Sequence, residues 1–248
     1  MSNVRAFYDD LADTYDQMFG DWDVSMARQA AVFGDLIGAS GQTILDCSCG
    51  IGTQAIGLAA RGHQVTATDI SPVSVARARS EAAARGVALA TAVADMRSLP
   101  FAESTFEIVL CADNALCHLP GEAEALTALR QLRRVLRPGG TLMASIRDYD
   151  ELRRTRPEQT PAQLSSRAGE RCVTFQLWHW HADGEGYDLE HFQVRGAGDS
   201  WRVERRASTL WALTRAELTR LAEAAGFATT RWLTPAESGF YQPILMAS

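Results

Sequence analysis

Apolar and polar segments alternate between residues 43 and 146, and this pattern predicts strands and helices in strict succession. Short, largely apolar runs predict strands at 43–46, 64–68, 88–93, 106–111 and 141–146. Segments with helical spacing separate these runs at 53–61, 72–85 and 121–136. Strands that alternate with helices are typical of a parallel sheet with helices on both faces.

The same pattern predicts what surrounds this central region. Apolar residues at roughly helical period predict one long helix over 4–36, and the polar stretch 151–170 predicts a loop. Period-two alternation then predicts three antiparallel strands at 172–181, 187–195 and 201–210. A capping box opens a helix that runs from Thr214 to Gly226, and two strands near 228–233 and 241–246 close the sheet.

These elements divide the chain into four segments. We expect a helical cap at 1–40, an α/β core at 41–150, a β lid at 151–210, and a C-terminal helix with the last two strands of the core at 211–248.

The turn after the first predicted strand gives the first sign of chemistry. Asp46 ends that strand, and Gly50 and Gly52 follow just before a helix. Glycines let the backbone approach a ligand, and the first N–H groups of the helix face it. Asp69 ends the next strand, where a carboxylate can accept hydrogen bonds from ribose hydroxyls. Together these residues predict a nucleotide-binding βαβ unit.

Two classes of cofactor fit this turn. Gly50-x-Gly52-x-x-Ala55 meets the relaxed dinucleotide pattern, in which the turn receives a pyrophosphate. In an S-adenosylmethionine (SAM) site the turn receives a methionine moiety with a cationic amine and a sulfonium, which Asp46 favours. The turn by itself leaves both alternatives open.

Four motifs together resemble those of the class I SAM-dependent methyltransferases. Leu45-Asp46-x-x-Cys49-Gly50-x-Gly52-Thr53 is similar to their first motif, with Ser48 where a glycine or alanine is usual. Asp69 resembles the acidic residue that binds the ribose in this family. Residues 94–101 resemble the loop that holds the adenine, and residues 134–140 resemble the turn before the fifth strand. A dehydrogenase has no reason to carry the last two.

This resemblance implies a fold and a cofactor. The fold would be α/β, with a Rossmann-like seven-stranded sheet, helices on both faces and a small antiparallel β lid after strand five. The cofactor would be SAM and its product S-adenosylhomocysteine. Tyr15 and Arg28 of the helical cap would close the site, and Arg28 would pair with the carboxylate of the methionine moiety. The alternative is that this helix only packs against the domain. The implied cofactor-binding residues are Tyr15, Arg28, Asp46, Cys47, Gly50, Gly52, Asp69, Ile70, Asp95, Met96 and Ala112.

A narrower resemblance, to the glycine and sarcosine N-methyltransferases, concerns two loops. The loop after strand four, 114–120, matches their Asn-x-x-x-His-Leu-Pro sequence, and 147–150 matches their Arg-Asn-Tyr-Asp sequence except at Asp148. The resemblance implies that Arg147 binds an amino-acid carboxylate and that Asn114 lines the substrate site. We expect His118 to orient the nucleophile and to accept its proton. The expected catalytic residues are Asn114, His118 and Arg147, and the other expected substrate contacts are Tyr15, Trp178 and Tyr241.

Two of these residue patterns have other interpretations. Arg147 could form a salt bridge with Asp148, Asp150 or Glu151 instead of holding a substrate. His179, His181 and His191 could be read as metal ligands. No cysteine or acid completes an obvious set, and transfer from a sulfonium needs no metal, so we expect no metal site.

Composition narrows the function further. The formal net charge is -6 and basic residues form no run, which disfavours a nucleic-acid partner. The chain has no lysine, which excludes Schiff-base chemistry. An odd number of cysteines, 5, suits a reduced, cytoplasmic location better than disulfides. No apolar stretch approaches the roughly 18 residues of a membrane span, and we expect neither a span nor a signal peptide.

The sequence therefore predicts a SAM-dependent methyltransferase that acts on a small molecule. We expect N-methylation of a small amine or amino acid that is anchored by its carboxylate. The alternative among enzymes is O- or C-methylation of a keto acid or an aromatic natural-product intermediate. The alternative outside enzymes is a non-catalytic SAM-binding protein. The sequence does not determine the acceptor, the number of methyl groups transferred or the oligomeric state.

Overall fold

The computed structural model describes residues 4–167, 169–197 and 200–248. Its strands are β1 (Thr43–Asp46), β2 (Gln64–Asp69), β3 (Ala90–Val93), β4 (Phe106–Cys111), β5 (Leu136–Ser145), β6 (Gln163–Arg167), β7 (Glu170–Trp180), β8 (Gly186–Ala197), β9 (Ser200–Trp211), β10 (Thr230–Leu233) and β11 (Ile244–Ala247). Its α-helices are α1 (Val4–Leu11), α2 (Trp22–Ile37), α3 (Thr53–Ala60), α4 (Pro72–Ala84), α5 (Glu122–Val135), α6 (Tyr149–Thr155), α7 (Arg215–Ala224) and α8 (Pro235–Ser238). None of these helices is long and apolar enough to cross a membrane.

Seven strands form the main sheet, in the order β10-β11-β5-β4-β1-β2-β3. β1 to β5 pair in parallel, and β11 is antiparallel to both of its neighbours. The predicted fold class is confirmed. The strand order reverses between β1 and β4, and in open α/β sheets ligands bind in the crevice at the carboxyl ends beside such a switch point.

Successive residues of the central strands contribute to two different cores. Ile44 and Ile108 belong to a core that includes Phe33 of α2, whereas Leu45 and Val109 belong to one that includes residues of α5 and α7. This alternation follows from the two-residue period of a strand. It buries both faces of the sheet and leaves its carboxyl edge for the site.

The N-terminal prediction of a single helix over 4–36 is wrong. A 3-10 helix, Ala12–Met18, follows α1, and the chain then turns before α2 begins. Asp21 caps α2 by accepting a hydrogen bond from the Val24 N–H (3.0 Å). Arg77 holds the 3-10 segment through Asp16 (2.6 Å) and the carbonyl oxygen of Ala12 (2.5 Å). A strong cap and a distant arginine therefore override the helical period.

The lid has four antiparallel strands, β6-β7-β8-β9, where the pattern predicted three. The predicted loop 151–170 is also wrong in part, because it contains the end of α6 and the whole of β6. Asp148 caps α6, and the buried Tyr149 anchors it. β6 is a short edge strand whose residues are mostly polar, so its sequence lacks the apolar alternation that identified its neighbours.

Apart from the start of β5, the other boundaries lie within three residues of prediction. α3, α4 and α5 begin and end within one residue of prediction, and the capping box of Thr214 and Glu217 opens α7. β3, β10 and β11 start two to three residues later than predicted, and β5 starts five residues earlier. The short helix α8 lies between β10 and β11 and was not predicted.

Candidate cofactor and acceptor site

Two adjoining cavities lie at the carboxyl edge of the sheet. The larger, about 760 Å³, is lined by residues that follow β1, β2 and β4. The smaller, about 390 Å³, lies between the N-terminal segment and the lid. Tyr8, Tyr15, Asp113, His118 and Leu210 line both cavities and mark their boundary. The geometry therefore suits a cofactor in one cavity and a second reactant in the other.

The glycine turn borders the larger cavity, but its two glycines have different roles. Gly50 (φ 51°) lines the cavity, and its N–H donates to Oδ2 of Asp69 (2.9 Å). Gly52 (φ 96°) precedes α3, and a Cβ there would lie 2.7 Å from Cδ1 of Ile56 and 3.3 Å from Cβ of Ala78. Gly52 was expected to contact the cofactor; instead it allows close packing of α3 and lies outside the cavity lining.

We expect Gly52→Ala to destabilise the fold more than Gly50→Ala. The Gly52 variant combines a strained left-handed residue with overpacking against Ile56, about 2–5 kcal/mol in total. The Gly50 variant meets open space and carries only the backbone strain, about 1–2 kcal/mol. Urea unfolding of the two variants measures the difference, and equal losses of unfolding free energy would contradict it.

Three carboxylates lie at or beside the larger cavity. The buried Asp69 and the half-buried Asp113 line it, whereas the buried Asp46 lies outside the lining, directly before the lining residue Cys47. Burial raises the pKa of each, that of Asp46 to about 8, and the charges of Asp69 and Asp113 raise the pKa of Asp46 further. Oδ2 of Asp46 has no hydrogen-bond partner among the described residues. A cation would stabilise the ionised forms of these groups, whereas a pyrophosphate would be repelled.

The rim of the larger cavity carries Ile70, Met96, Cys47 and Ala112, as expected for cofactor contacts. Asp95 also lies there, but Arg97 engages both of its oxygens and donates its backbone N–H (2.9 Å). The bonds from Arg97 hold the pKa of Asp95 below its usual range. The position of this loop is therefore set by its own ion pair.

Arg147 lies half-buried in the smaller cavity among neutral partners. Its Nη1 donates to the Tyr187 hydroxyl (2.6 Å) and its Nη2 to Oε1 of Gln176 (3.3 Å). The guanidinium carbon is 4.8 Å from the centre of the Trp178 ring. Burial opposes the charge, but Tyr187 and Tyr149 hold the pKa of Arg147 above its ordinary value.

The alternative salt bridge of Arg147 does not form. Asp148 and Asp150 pair with Arg215 (3.6 Å and 2.8 Å), and Glu151 pairs with Arg154 (2.5 Å). Within the described ranges, Arg147 has no carboxylate at ion-pair distance.

Asn114 fixes the loop that carries Arg147. Its Oδ1 accepts the Arg147 backbone N–H (3.1 Å), and its Nδ2 donates to the Tyr149 hydroxyl (2.9 Å). Both ends of the Asn114 side chain are thus engaged by the protein, which favours a positioning role over the expected catalytic one. Asp113 and Asn114 both have positive φ (58° and 71°), and this strained turn brings Asp113 to the boundary of the two cavities.

His118 is held as a neutral imidazole. Its Nε2 is hydrogen-bonded to the Tyr8 hydroxyl (2.8 Å), and its Nδ1 lies 3.4 Å from the Ser208 hydroxyl. Burial and the charge of Arg147 lower the pKa of His118 to about 4. A group with this pKa is a poor proton acceptor near pH 7, which argues against the expected role in taking the proton.

The remaining expected contact residues differ in their position relative to the two cavities. Tyr15 lines both, Tyr241 lines the smaller one and donates to Asp113, and the exposed Arg28 also lines the smaller rather than the cofactor cavity. Trp178 is buried, stacks on Tyr187 (4.7 Å between ring centres) and lines neither cavity.

The sequence interpretation missed three site residues: Tyr8, Asp113 and Tyr187. Asp113 directly precedes the matched loop and could have been found there. Tyr8 and Tyr187 gave no local signal, because their roles depend on contacts with His118 and Arg147 far along the chain.

The three lid histidines do not converge. The exposed His179 pairs with Glu190 (3.3 Å), and the partly exposed His181 lies 3.5 Å from Asp188, whereas His191 is buried on the other face of the lid. The part of the chain that the structure describes contains no group of three or more His, Cys, Asp or Glu side chains that could hold a metal.

Comparison with known proteins decides between the cofactor alternatives. Residues 44–140 match the family described as "Methyltransferase domain". The chain is 30% identical over 199 residues to the cypemycin N-terminal methyltransferase of a Streptomyces species, across 77% of this chain and 74% of that protein. This chain belongs to the class I SAM-dependent methyltransferases. Its cofactor is SAM, as predicted, and the dinucleotide alternative is excluded.

Two further similarities support this assignment. The methyltransferase is 32% identical over 150 residues to the glycine/sarcosine N-methyltransferase of Parasynechococcus marenigrum (strain WH8102), across 60% of this chain and 53% of that protein. It thus spans about half the length of that relative. The structure of the methyltransferase CcbJ from Streptomyces caelestis has a TM-score of 0.78 at 20% identity and matches 99% of this chain and 98% of that chain. That likeness concerns the fold.

Proposed function

We propose that this methyltransferase transfers the methyl group of SAM to the nitrogen of a small amine or amino acid held through its carboxylate by Arg147. The observation that carries the proposal is the guanidinium of Arg147, half-buried and bonded only to neutral groups. A desolvated cation of this kind favours an anionic ligand, and the planar guanidinium matches a carboxylate fork.

The larger cavity suits SAM. Asp69 uses its oxygens to accept the N–H groups of Gly50 and Ser71 (2.9 Å each), and a carboxylate retains lone pairs for ribose hydroxyls. In our proposal Ile70 and Met96 flank the adenine, and Asp46 favours the cationic methionine moiety. Bound there, SAM supplies an electrophilic methyl group on a good leaving group.

The residues at the boundary of the cavities would position the acceptor nitrogen. Tyr8, Tyr15 and Asp113 lie where the two reactants meet. Burial raises the pKa of Asp113, which makes it a better candidate than His118 for taking the proton that the amine releases. Positioning of the reactants supplies most of the acceleration in this scheme.

Two observations favour nitrogen as the nucleophile. A neutral amine needs no strong base before attack, whereas a hydroxyl acceptor does, and the low pKa of His118 leaves it poorly suited to that role. The two curated relatives described above also bear names of N-directed methyltransferases. O- or C-methylation remains the second candidate.

The acceptor cavity favours a substrate larger than glycine. Its volume is about 390 Å³, and Phe7, Leu11 and Phe19 contribute to its lining. An amino acid with a side chain fits this space better than glycine alone.

We also propose a small-molecule partner rather than a nucleic acid, and a cytoplasmic location. The net charge of -6 and the limited volume of the acceptor cavity, about 390 Å³, support the first. The second is supported by the cysteines, all 5 of which are free and buried.

The test measures S-adenosylhomocysteine release with small amines and amino acids, each carboxylate paired with its amide. We expect the carboxylate member to have a kcat/KM roughly 100-fold higher, because the amide forms no charge-assisted bonds with Arg147. Equal turnover of both members would contradict the anchor, and SAM binding without turnover of any member would favour a larger acceptor.

A further inference from the structure

His191 of β8 is a buried histidine without a partner. It is 1% exposed, lines the acceptor cavity, and neither ring nitrogen has a hydrogen-bond partner among the described residues. Buried polar groups in folded proteins are nearly always hydrogen-bonded, and the exceptions call for a physical reason.

The cross-strand neighbours of His191 form hydrogen bonds with residues other than His191. Its cross-strand partners are Gln176 of β7 and Arg206 of β9. Oε1 of Gln176 accepts hydrogen bonds from Arg147 (3.3 Å) and from Trp178 (3.0 Å). Arg206 donates through Nη1 to Gln193 and through Nη2 to Glu204 (2.9 Å each), and its buried Nε has no hydrogen-bond partner among the described residues. Hydrogen bonds within the lid thus fix the residues around His191 but do not include its imidazole, which lines the acceptor cavity.

The imidazole of His191 is uncharged at neutral pH. Burial and the charge of Arg206 lower its pKa to about 4. A neutral imidazole offers one N–H donor and one bare nitrogen that accepts. Its best complement is an uncharged group that both donates and accepts, such as a hydroxyl or an amide, rather than a second carboxylate.

We propose that His191 forms a second polar subsite of the acceptor cavity, which binds a hydroxyl or amide group of the methyl acceptor. This inference rests on the proposed function, because it places the acceptor between Arg147 and the lid. It narrows the substrate class to amino acids, or related amines, that carry a neutral polar group in addition to the carboxylate.

The test compares L-serine with L-alanine and L-asparagine with L-leucine as acceptors. The proteins are the wild type, His191→Phe and His191→Asn, and the matched control is His179→Phe on the exposed face of the lid. S-adenosylhomocysteine release measures turnover. Thermal shift in the presence of S-adenosylhomocysteine measures acceptor binding without turnover.

We expect the wild type to prefer the polar member of each pair by about tenfold, the value of one neutral hydrogen bond to a buried group. His191→Phe removes this preference, His191→Asn keeps part of it, and His179→Phe keeps all of it. His191→Phe also raises the Tm of the free protein, because it removes an unpartnered buried polar group.

Three results would overturn the inference: equal use of the polar and apolar members of each pair by the wild type, a preference that survives in His191→Phe, or a fall in Tm that reveals a structural bond of His191. Failure of the proposed function gives a different result. In that case the carboxylate and amide members of the earlier panel have equal kcat/KM, or none of the four amino acids is bound or methylated by any of the proteins.

Discussion

Arg147→Met lowers kcat/KM for a carboxylate acceptor by roughly 100-fold or more and leaves the Kd for SAM within about twofold of wild type. The loss falls on KM, because the guanidinium binds the acceptor and touches no reacting atom. Methionine retains the apolar contact with Trp178, so the packing of the site is largely kept. Steady-state kinetics with the best acceptor of the panel and calorimetric titration of SAM measure the two effects.

The controls separate charge from geometry. Arg147→Lys keeps the charge but cannot hold Tyr187, Gln176 and a carboxylate in one plane, and we expect an intermediate KM. Arg215→Met removes a partly exposed arginine that pairs with Asp150 and should leave KM unchanged. An unchanged KM in Arg147→Met would exclude the anchor role.

Arg147 shows which part of the site a sequence can predict. It stands at the end of a strand, in a loop that matches a known motif, and these two features alone indicate an anion site. The residues that hold it, Gln176, Trp178 and Tyr187, lie in the lid, 29 to 40 residues further along. Such contacts depend on how the lid folds over the core, which no local pattern encodes.

Asn114 shows a different limit of sequence interpretation. The loop match placed it at the acceptor site, and it does line the smaller cavity. The hydrogen bonds of its side chain to Arg147 and Tyr149 appear only in three dimensions, and they favour a positioning role. A motif thus predicted the location of the residue but not its partners.

The fold was predictable where hydrophobic period and tertiary context agree. The central strands are short apolar runs buried on both faces, and their predicted bounds are close to those of β1, β2 and β4. The N-terminal helix failed because Asp21 and Arg77 redirect the chain, and β6 was missed because an edge strand needs no apolar alternation.

The unfolding free energy of the wild-type protein should fall as pH rises because of Asp46, and Asp46→Asn should remove this contribution. Burial raises the pKa of Asp46 from 3.8 to about 8, so between these values the folded state keeps a proton that the unfolded state has lost. Stability then falls with rising pH, by up to about 1.4 kcal/mol per unit for this group. Asparagine does not titrate. We therefore expect the unfolding free energy of Asp46→Asn, relative to that of the wild type at the same pH, to rise between pH 5 and pH 8.

The same substitution weakens SAM binding, and the pH dependence identifies the cause. A cationic cofactor favours the ionised carboxylate, so SAM binding to the wild type releases a proton and its affinity rises with pH up to about 8. In Asp46→Asn the affinity for SAM rises less steeply with pH, because only Asp69 and Asp113 still contribute to the slope.

The matched control is Asp35→Asn, which removes an exposed carboxylate on α2 and should show the same pH dependence as the wild type. Calorimetric titration of SAM at pH 6, 7 and 8 measures the slopes. Equal slopes in wild type and Asp46→Asn would mean that Asp46 stays protonated beside the cofactor and that another group compensates its charge.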